Sequence, residues 1–346
     1  MGPLSTSLPT LAMLRQRLNI SSVNTGRRIE WFGPQGIISD DMEGLHAMLD
    51  QHGRTVLQSG VEFPLHMYRG QTQDFGKCTP SLARITDPDQ QFLTLCRSIA
   101  FEDAIGSHPL VQLVEQTAFM DAPFFVDREG LAQHYGHPTD MLDITGSFDV
   151  ASFFATCRWD SKKRAYQPYW QDTMPGVVYR IHSAFLGLDA DSPDLSIVGW
   201  QPLPRSEQQQ AQALQLKHGA DFESLPFVEK FWFAHDANTS SQIYAAFNQG
   251  RALFPPDAAA ELSALAENIL AFTAAQIERA WARLNDYWTG QQISESNRAL
   301  TLERCDVELV EAPVLKWDGL LPDLTPDLWQ QQWQEVLCRV RYRRAF

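Results

Sequence analysis

Hydrophobic and polar positions along the chain predict an alternation of short strands and helices. Alternating or continuous apolar runs indicate strands at residues 63–71, 141–145, 176–182, 197–200 and 227–233. Apolar residues three or four positions apart indicate helices at 89–116, at 131–135 and from 146 to 157. Together these elements predict an α+β domain built on a mixed, curved sheet with helices on its flanks.

The two ends of the chain carry patterns of their own. Before residue 61 the pattern predicts a short helix at 8–18, a strand at 27–32 and a second helix after Ser39-Asp40-Asp41, which offer N-cap chemistry. After residue 257 the three-or-four spacing from Leu262 to Trp288 predicts one long helix of about thirty residues, roughly 45 Å in length. The tail at 336–346 alternates apolar and basic residues, which is typical of an exposed edge strand. We therefore divide the chain into an N-terminal extension (1–60), a central domain (61–257) and a C-terminal helix and strand extension (258–346).

Composition narrows the class of protein. The 346 residues are 44% hydrophobic and 20% charged, which provides enough apolar material for a large folded core. The net charge of -14 argues against a nucleic-acid partner, because contacts to phosphates need clustered Lys and Arg. Five cysteines without a close pair favour a reducing compartment. Neither a signal peptide nor an apolar run near ~20 residues is present, so we expect a cytoplasmic protein that does not enter the membrane. The oligomeric state stays open.

Polar side chains collect at the ends of the predicted elements and indicate one polar cleft. Arg69 is suited to bind an anion because a guanidinium presents a planar fork to a phosphate or carboxylate. Gly70 beside it permits a close backbone approach, and Gln71 ends the same predicted strand. The alternative for Arg69 is a structural ion pair with a carboxylate such as Asp143.

His134 and Asp143 are the second candidate group. The carboxylate would fix the imidazole tautomer and raise its basicity, as an acid-base pair requires. The alternative is that His134 is a hydrogen-bonded packing residue before a helix-ending glycine. Thr139 is typical of a turn and Thr145 of a helix cap, while both also fit the wall of a pocket.

Other polar groups are predicted to have simpler roles. Glu102 falls on a helical stretch where a solvated face is expected. His134 and His137 are three residues apart across a helix end, but no carboxylate stands at a metal-ligand spacing, so no metal site is predicted. The glutamine-rich block at 204–214, which contains Glu207 and Gln209, is either a ligand contact or a solvated helix or loop.

Three segments resemble the FRG domain family. They are Tyr68-Arg69-Gly70-Gln71, then residues 80–84, and then residues 133–145, which read Gln-His-Tyr-Gly-His-Pro-Thr-Asp-Met-Leu-Asp-Ile-Thr. A later block of the family pattern is matched loosely by Arg205, Gln209 and Ala211. Phe254-Pro255 with Asp257 resembles the end of the family pattern. The resemblance spans residues 63–257. The chain departs from the pattern with His137 for Leu, Ile144 for Trp, and Asp140 for Arg, and the last change removes a positive charge beside the expected site.

The layout also resembles that of ADP-ribosyltransferases at a distance, which implies an ADP-ribosyltransferase-like fold with NAD as a substrate. By this resemblance Arg69 would hold the NAD phosphates, Thr145 would brace the nicotinamide ribose pocket, and Glu207 or Gln209 would contact the ribose. Of these last two, only Glu207 would supply the negative charge that an oxocarbenium-like ribose needs. The catalytic candidates are His134, Asp143, Glu207 and Gln209, and the binding candidates are Arg69, Gly70, Gln71, Tyr135, Thr139, Thr145 and Arg205.

The resemblance implies a nucleotide-handling enzyme that transfers ADP-ribose to a protein target or cleaves NAD without a metal. The alternative is a non-catalytic regulatory module that captures an anionic ligand or a partner's acidic tail, for example in a defence or toxin system. Two departures from the family pattern favour this alternative: the loose match at Arg205, Gln209 and Ala211, and Asp140 in place of arginine.

Overall fold

The structure is a computed structural model. It describes residues 8–20, 28–30, 37–39, 44–60, 64–170, 174–183, 194–216, 218–225, 227–287, 295–322 and 325–341.

Helices are interspersed with runs of strands along the described residues. The helices are α1 (Leu11–Arg17), α2 (Pro88–Gly106), α3 (Pro109–Glu115), α4 (Arg128–His134), α5 (Phe148–Thr156), α6 (Pro204–Gln208), α7 (Ala237–Ala246), α8 (Ala258–Ala266), α9 (Ala274–Tyr287), α10 (Glu295–Arg304) and α11 (Pro326–Arg339). Among these described helices, none combines the length and the apolar character that crossing a membrane requires.

The strands are mostly short. They are β1 (Arg28–Glu30), β2 (Ile37–Ser39), β3 (Leu45–Leu49), β4 (Thr55–Ser59), β5 (His66–Gln71), β6 (Ala118–Phe119), β7 (Ala122–Pro123), β8 (Met141–Thr145), β9 (Cys157–Asp160), β10 (Ala165–Pro168), β11 (Gly176–His182), β12 (Asp194–Ser196), β13 (Ala211–Gln215), β14 (Val228–Phe233), β15 (Ala271–Thr273), β16 (Glu308–Val310) and β17 (Val340–Arg341). The predicted α+β class is confirmed, and β8 and β11 occur at the predicted residues.

A six-stranded sheet in the order β12-β13-β8-β5-β11-β14 forms the centre of the molecule. Every pair of neighbouring strands in it is antiparallel, whereas a mixed sheet was predicted. β5 and β8 meet only where Tyr68 lies opposite Thr145, while the other described ladders of this sheet have three or more pairs. The sheet is therefore weakly joined at its centre, close to Arg69 on β5 and Asp143 on β8.

Helix α5 packs closely on β5 and covers one side of this junction. A Cβ atom at Gly70 would lie 1.8 Å from the Ala151 carbonyl oxygen, so only glycine allows the helix to approach this far. Ser147 caps α5, since its side chain accepts a hydrogen bond from the Val150 amide. The prediction that Thr145 caps this helix is wrong. Its hydroxyl accepts from the Ser147 amide at 3.1 Å and donates to the Gln209 carbonyl at 2.8 Å, which ties β8 to the chain after α6.

The N-terminal region contributes strands where a helix was predicted. Of the helix expected after Ser39-Asp40-Asp41, residues 40–43 lie outside the described part of the chain, and the next residues form β3. β3 pairs antiparallel with β4 and parallel with β17, so the two ends of the chain meet in one small sheet.

The tail is helical where an edge strand was predicted. Residues 336–339 belong to α11, only β17 follows, and residues 342–346 lie outside the described part. Trp333 is buried, and Trp329, Val336, Leu337 and Val340 pack around the same core. These positions follow one another at spacings of one, three or four residues, which is the period of a helix. Burial of that stripe outweighs the alternation with arginine.

The long helix predicted from residue 262 to 288 is two helices with a strand between them. α8 ends at Ala266, β15 pairs in parallel with β16, and α9 begins at Ala274. A capping box starts α9: the Gln276 side chain accepts from the Thr273 amide at 3.0 Å, and the Thr273 hydroxyl accepts from the Gln276 amide at 3.3 Å. A Thr-x-x-Gln signal in the sequence therefore marks the true start of the second helix.

Glu102 is buried, at 2% exposed, where a solvated position was predicted. Arg283 on α9 donates to both of its carboxylate oxygens, at 2.6 and 2.7 Å, and Arg279 lies 3.3 Å from one of them. The helix α2 thus presents this carboxylate to α9 instead of to solvent.

Apolar side chains from all three predicted segments share one core. Leu45 and Leu57 before residue 60, Phe101 in the central part, and Leu262 and Trp333 after residue 257 belong to the same buried cluster. Packing is therefore continuous across the predicted domain boundaries at residues 60 and 257, and those boundaries remain predictions.

Candidate functional site

The weak junction between β5 and β8 lies beside a cleft made of two adjoining cavities. Their volumes are about 710 and 740 Å³, within the range of small-molecule sites. The first is lined by β5, β8 and α5, and the second extends past the end of α4 to the chain after α7. Six side chains line both cavities and form what we call the shared wall: His134, Asp143, Phe154, Trp159, Tyr166 and Gln209.

The cleft brings together most of the residues that the sequence singled out. The first cavity is lined by Arg69, Gly70, Gln71, His134, Asp143, Thr145 and Gln209, and the second by Tyr135, Arg205 and three of the shared-wall residues His134, Asp143 and Gln209. Two candidates, Thr139 and Glu207, line neither cavity.

Arg69 faces the first cavity without a carboxylate partner. One of its terminal nitrogens, Nη1, donates to the Asp143 backbone carbonyl at 2.7 Å, so the predicted alternative of an ion pair with the Asp143 side chain is wrong. Its Nε is buried and has no hydrogen-bond partner among the described residues. The neighbouring Cys78 thiol offers no counter-charge, since burial raises its pKa. The Asp143 carbonyl and the Cys78 thiol thus hold the guanidinium, and neither group neutralises its positive charge.

Arg84 lines the same cavity and was not predicted as a site residue. It stands at the end of a short 3-10 turn, Leu82–Arg84, and donates from Nε and Nη2 to the Thr79 carbonyl at 3.2 and 2.8 Å. Among the described residues it has no carboxylate within ion-pair distance. Burial lowers the pKa of Arg84, and the positive charge of Arg69 lowers it further, although an arginine stays charged at neutral pH. Two guanidiniums that repel each other face one cavity.

His134 is held in a defined tautomer by Gln209. The Gln209 amide nitrogen donates to the Leu253 carbonyl at 3.0 Å, which leaves its amide oxygen facing His134 Nδ1 at 3.0 Å. His134 Nδ1 must then carry the proton, and Nε2 holds the lone pair of the neutral ring. Nε2 is buried, has no hydrogen-bond partner among the described residues, and lies 3.8 Å from Asp143 Oδ1. This nitrogen therefore lies inside the wall of the cleft, next to the Asp143 carboxylate.

Asp143 is oriented by a chain of hydrogen bonds from behind the cleft. The Gln133 side-chain amide donates to Asp143 Oδ1 and to the Met141 carbonyl. The Thr139 hydroxyl donates to the Gln133 amide oxygen at 2.7 Å and accepts from the Met141 amide at 3.2 Å. Thr139 was predicted as a turn residue or ligand contact, but it is buried and supports Gln133 instead. Gln133 was not predicted, although it directly precedes His134 in the family motif.

Glu207 does not lie in the cleft. It forms an ion pair with Arg339 of α11, and Ser59 donates to its backbone carbonyl. α6 ends at Gln208, so Glu207 and Gln209 point to different surroundings: Gln209 enters the shared wall and Glu207 contacts the C-terminal helix. The expectation of a solvated glutamine-rich block is also wrong, because Gln209 and Gln212 are buried. Asp143 is therefore the carboxylate of the shared wall.

Arg205 and Tyr135 form a supporting pair in the second cavity. The Arg205 guanidinium lies 4.4 Å from the Tyr135 ring centre, and its Nε is 3.9 Å from Asp257 Oδ2. The Tyr135 hydroxyl donates to the same Asp257 oxygen at 2.9 Å, and burial raises the pKa of Tyr135. Unlike Arg69, Arg205 thus has a counter-charge within the protein. Gln71 is similarly occupied, since its amide contacts the Cys78 thiol and accepts from the Tyr179 hydroxyl.

The departures from the family pattern leave the cleft largely unaffected. His137 is buried and stacks on Phe101 at 4.6 Å, and burial lowers the pKa of His137 to about 4, so a neutral ring stands where the pattern has leucine. Asp140 lines neither cavity, and its carboxylate accepts from the Gln215 side chain at 3.0 Å. The predicted loss of a positive charge beside the site is therefore wrong, and Asp140 does not argue for a non-catalytic module.

Aromatic rings complete the shared wall. Tyr166 stacks on Phe254 at 4.8 Å and meets Trp159 edge-on at 5.4 Å. Burial, with a smaller contribution from the negative charge of Asp143, raises the pKa of Tyr166 to about 12, so its hydroxyl stays protonated at neutral pH. Trp159 is 53% exposed although it lines both cavities. Such faces are suited to stack on the flat ring of a base.

The cleft is positively charged in an acidic protein. Its two cavities are lined by seven Lys and Arg side chains against two carboxylates, Asp143 and Glu267, while the whole chain has a net charge of -14. The basic residues are Arg69, Lys77, Arg84, Arg158, Arg164, Arg205 and Arg251. Within the described residues no group of three or more His, Cys, Asp or Glu side chains is placed to hold a metal ion. The chemistry of the cleft is that of an anion site.

A comparison with known protein families found a match that covers much of this cleft. The sequence model of the FRG domain matches residues 65–164, which run from β5 to the turn before β10. The chain contains an FRG domain. The match includes Arg69, Arg84, His134 and Asp143, whereas Gln209 of the shared wall comes from a later part of the chain. Neither the comparison with curated proteins nor the comparison with solved structures gave a match.

Proposed function

We propose that the FRG domain of this chain binds a nucleotide in the cleft, with the phosphates against Arg69 and Arg84. The observation that carries the proposal is the pair of guanidiniums that face one cavity without a carboxylate partner among the described residues. Arg69 is half-buried and Arg84 is exposed, so solvent screens part of their repulsion, and an anion with several oxygens would bind both guanidiniums and remove the rest. A nucleotide joins phosphates to an aromatic base through a sugar. Its phosphates suit the two guanidiniums, and its base suits the rings of the shared wall.

NAD is the nucleotide that best suits the two adjoining cavities. It has two halves joined by a pyrophosphate, and each cavity offers cations together with the rings of the shared wall. Its nicotinamide ribose would lie at Asp143, which is the carboxylate that both cavities share. This arrangement follows the distant resemblance to ADP-ribosyltransferases, with Asp143 in place of the expected glutamate.

Cleavage of NAD at this wall would use the Asp143 carboxylate of the chain and an acceptor, which is either water or a target protein. The bond between nicotinamide and ribose C1′ breaks, and nicotinamide leaves with the bonding electrons as a neutral molecule. The Asp143 carboxylate stabilises the positive charge that develops on the ribose. A water molecule, or a nucleophile of a target protein, adds to C1′ and releases its proton to the Asp143 carboxylate, which is 45% exposed and lies 3.8 Å from His134 Nε2. The products are nicotinamide and ADP-ribose, free or attached to the target.

Thermal unfolding with and without NAD tests the binding. A ligand present at 100 times its Kd stabilises the folded state by about 2.7 kcal/mol, which raises the Tm by a few degrees in a protein of this size. We expect NAD to raise the Tm of the wild type and Arg69→Ala to abolish the shift. Arg17→Ala, at an exposed arginine outside the cleft, is the matched control. An unchanged Tm at millimolar NAD, or an equal shift in the Arg69 variant, contradicts the proposal.

A non-catalytic module is the second candidate, and the position of Glu207 favours it. With Glu207 paired to Arg339, the carboxylate expected from the resemblance is missing from the cleft. Release of nicotinamide from NAD distinguishes the two candidates. Turnover that is lost in Asp143→Asn while the NAD-induced Tm shift remains supports the enzyme, whereas a Tm shift without nicotinamide release from the wild type supports the module.

A further inference from the structure

The β9–β10 hairpin carries a basic and aromatic surface beside the cleft. Its cations are Arg158, Lys162, Lys163 and Arg164, and all four are exposed together with Trp159. We propose that this hairpin docks a single-stranded nucleic acid whose end enters the cleft. The proposal is independent of whether NAD is the nucleotide that the cavities bind.

The hairpin cations are available to an external partner. None of them has a carboxylate within ion-pair distance among the described residues. Asp160, the acidic residue of this turn, accepts hydrogen bonds from the amides of Lys162 and Lys163 at 2.9 and 3.2 Å and so shapes the turn. Lys163 reaches only the neutral Gln167 side chain, at 3.1 Å. The hairpin therefore presents four cations against the one carboxylate of Asp160, with no ion pair among them in the described residues.

Basic residues are concentrated at the cleft and the hairpin, so the negative net charge of the whole chain does not exclude a nucleic-acid partner at this surface. Nine of the 28 Lys and Arg residues of the chain line the cleft or stand on this hairpin. The excess of acidic residues therefore lies elsewhere, and salt at physiological strength screens exposed charges beyond about 8 Å. An acidic chain can thus present one continuous basic path, from the exposed turn into the cavities, that follows a phosphate backbone.

Trp159 favours a nucleic acid over an acidic peptide. It lies opposite Tyr166 in the hairpin ladder, is 53% exposed, and lines both cavities. Bases stack on such rings in single-stranded sites, where aromatic side chains alternate with basic ones. A peptide rich in Asp and Glu would neutralise the cations but would leave the tryptophan face unused. A duplex keeps its base faces inside its own stack, so a single strand fits better.

Fluorescence anisotropy with labelled 20-nucleotide RNA and DNA of mixed sequence tests the proposal on the full chain. Lys162→Gln/Lys163→Gln is the main variant, because neither lysine lines a cavity and nucleotide binding in the cleft is tested separately. Arg17→Gln/Lys316→Gln removes the same charge at exposed positions outside the cleft and is the matched control. Trp159→Ala tests stacking, with Trp159→Phe as the variant that keeps a ring. Circular dichroism of each variant verifies the fold.

We expect single strands to bind more tightly than the matching duplex, and binding to weaken as salt rises. Loss of two phosphate contacts should reduce the slope of log K against log salt by about 1.4 in the lysine variant, and not in the control. Trp159→Ala should weaken binding roughly 5-fold to 150-fold, and Trp159→Phe should restore most of it. Two outcomes overturn the proposal: single strands bind the lysine variant and the wild type equally, or no oligonucleotide binds at low salt. Binding of poly-glutamate that is as tight as that of RNA, with no effect of Trp159→Ala, assigns the surface to an acidic protein instead.

Discussion

Two groups of arginines in this molecule occupy opposite electrostatic surroundings. On α9, Arg283 donates to both oxygens of the buried Glu102 carboxylate, and Arg279 contacts the same group. In the cleft, Arg69 and Arg84 donate to backbone carbonyls and face each other's positive charge. The first group is neutralised by the fold, and the second is not. Counter-charge, more than burial, separates an arginine that holds the structure from one that is ready for a ligand.

The α2–α9 contact contains one carboxylate more than its arginines neutralise. Arg279 and Arg283 face Glu102, Asp103 and, from α4, Glu129, which lies 3.5 Å from Arg283. Burial raises the pKa of Glu129 to about 8, the nearby Glu102 charge adds to the rise, and Arg283 opposes it. Because His134 is the last residue of α4, this contact also holds the helix that delivers the imidazole to the cleft.

The largest expected effect comes from breaking the neutralised group. Glu102→Gln removes the buried carboxylate to which Arg283 donates twice, so that only Glu129, 3.5 Å away, still offers Arg283 a negative charge, and we expect the free energy of unfolding to fall by about 3 kcal/mol. Urea denaturation at pH 7 measures this. Glu278→Gln is the matched control, since that carboxylate is 69% exposed in its pair with Arg298 and should matter by less than about 1 kcal/mol. Equal losses in the two variants would show that the buried pair contributes no more than a surface pair.

A smaller effect is expected from Glu129, and it depends on pH. The folded-state pKa of about 8 lies above the ordinary value of 4.5, so between these values the folded protein holds a proton that the unfolded chain has released. Stability from this group is therefore lost as the pH rises from about 4.5 to about 8. Glu129→Gln mimics the protonated form, so we expect it to match the wild type near pH 4.5 and to exceed it by a few kcal/mol above pH 8. The prediction is wrong if the difference in the free energy of unfolding between Glu129→Gln and the wild type stays constant across this pH range. The pKa of Glu129 would then not be raised, and the contact would contain no surplus carboxylate.

The smallest effect on stability is expected in the cleft. Arg84→Gln removes a cation that is repelled by Arg69 and bonded only to a carbonyl, so the free energy of unfolding should change by less than about 1 kcal/mol. Affinity for pyrophosphate, measured by calorimetry, should fall by about tenfold or more, because hydrogen bonds to a charged group are lost. Arg17→Gln serves as the control for both measurements. A large loss of stability with unchanged pyrophosphate affinity would place Arg84 with the structural arginines.

The sequence located the elements of the site better than the roles of its residues. β8 and β11 follow from local patterns, because a short apolar strand is defined by neighbours in the chain. Roles were missed where the partner is distant: Thr139 supports Gln133, Thr145 binds the Gln209 carbonyl, and Glu207 pairs with Arg339. Local composition does not record which of two nearby side chains turns toward a cavity.

In the C-terminal part of the chain, two predictions that rested on hydrophobic spacing were wrong. One hydrophobic spacing suggested a single long helix, although the Thr273-x-x-Gln276 signal for a new start was present in the sequence. In the tail, alternation with arginine suggested a strand, while Trp333 and its helical neighbours decided the structure by burial in the shared core. The tail fits both a strand-like alternation and a helical spacing, and it forms the helix, which buries the apolar side chains.

By itself the sequence determined the α+β class, the FRG motifs and the choice of Arg69, His134 and Asp143 as one polar group, because these depend on spacing and residue type. The tertiary structure decided which arginines keep a carboxylate partner, which of Glu207 and Gln209 enters the cleft, and how Gln209 fixes the proton on His134. Each of these depends on contacts between residues far apart in the chain. Charge neutralisation and hydrogen-bond direction are set by distances in space, and the order of residues does not contain them.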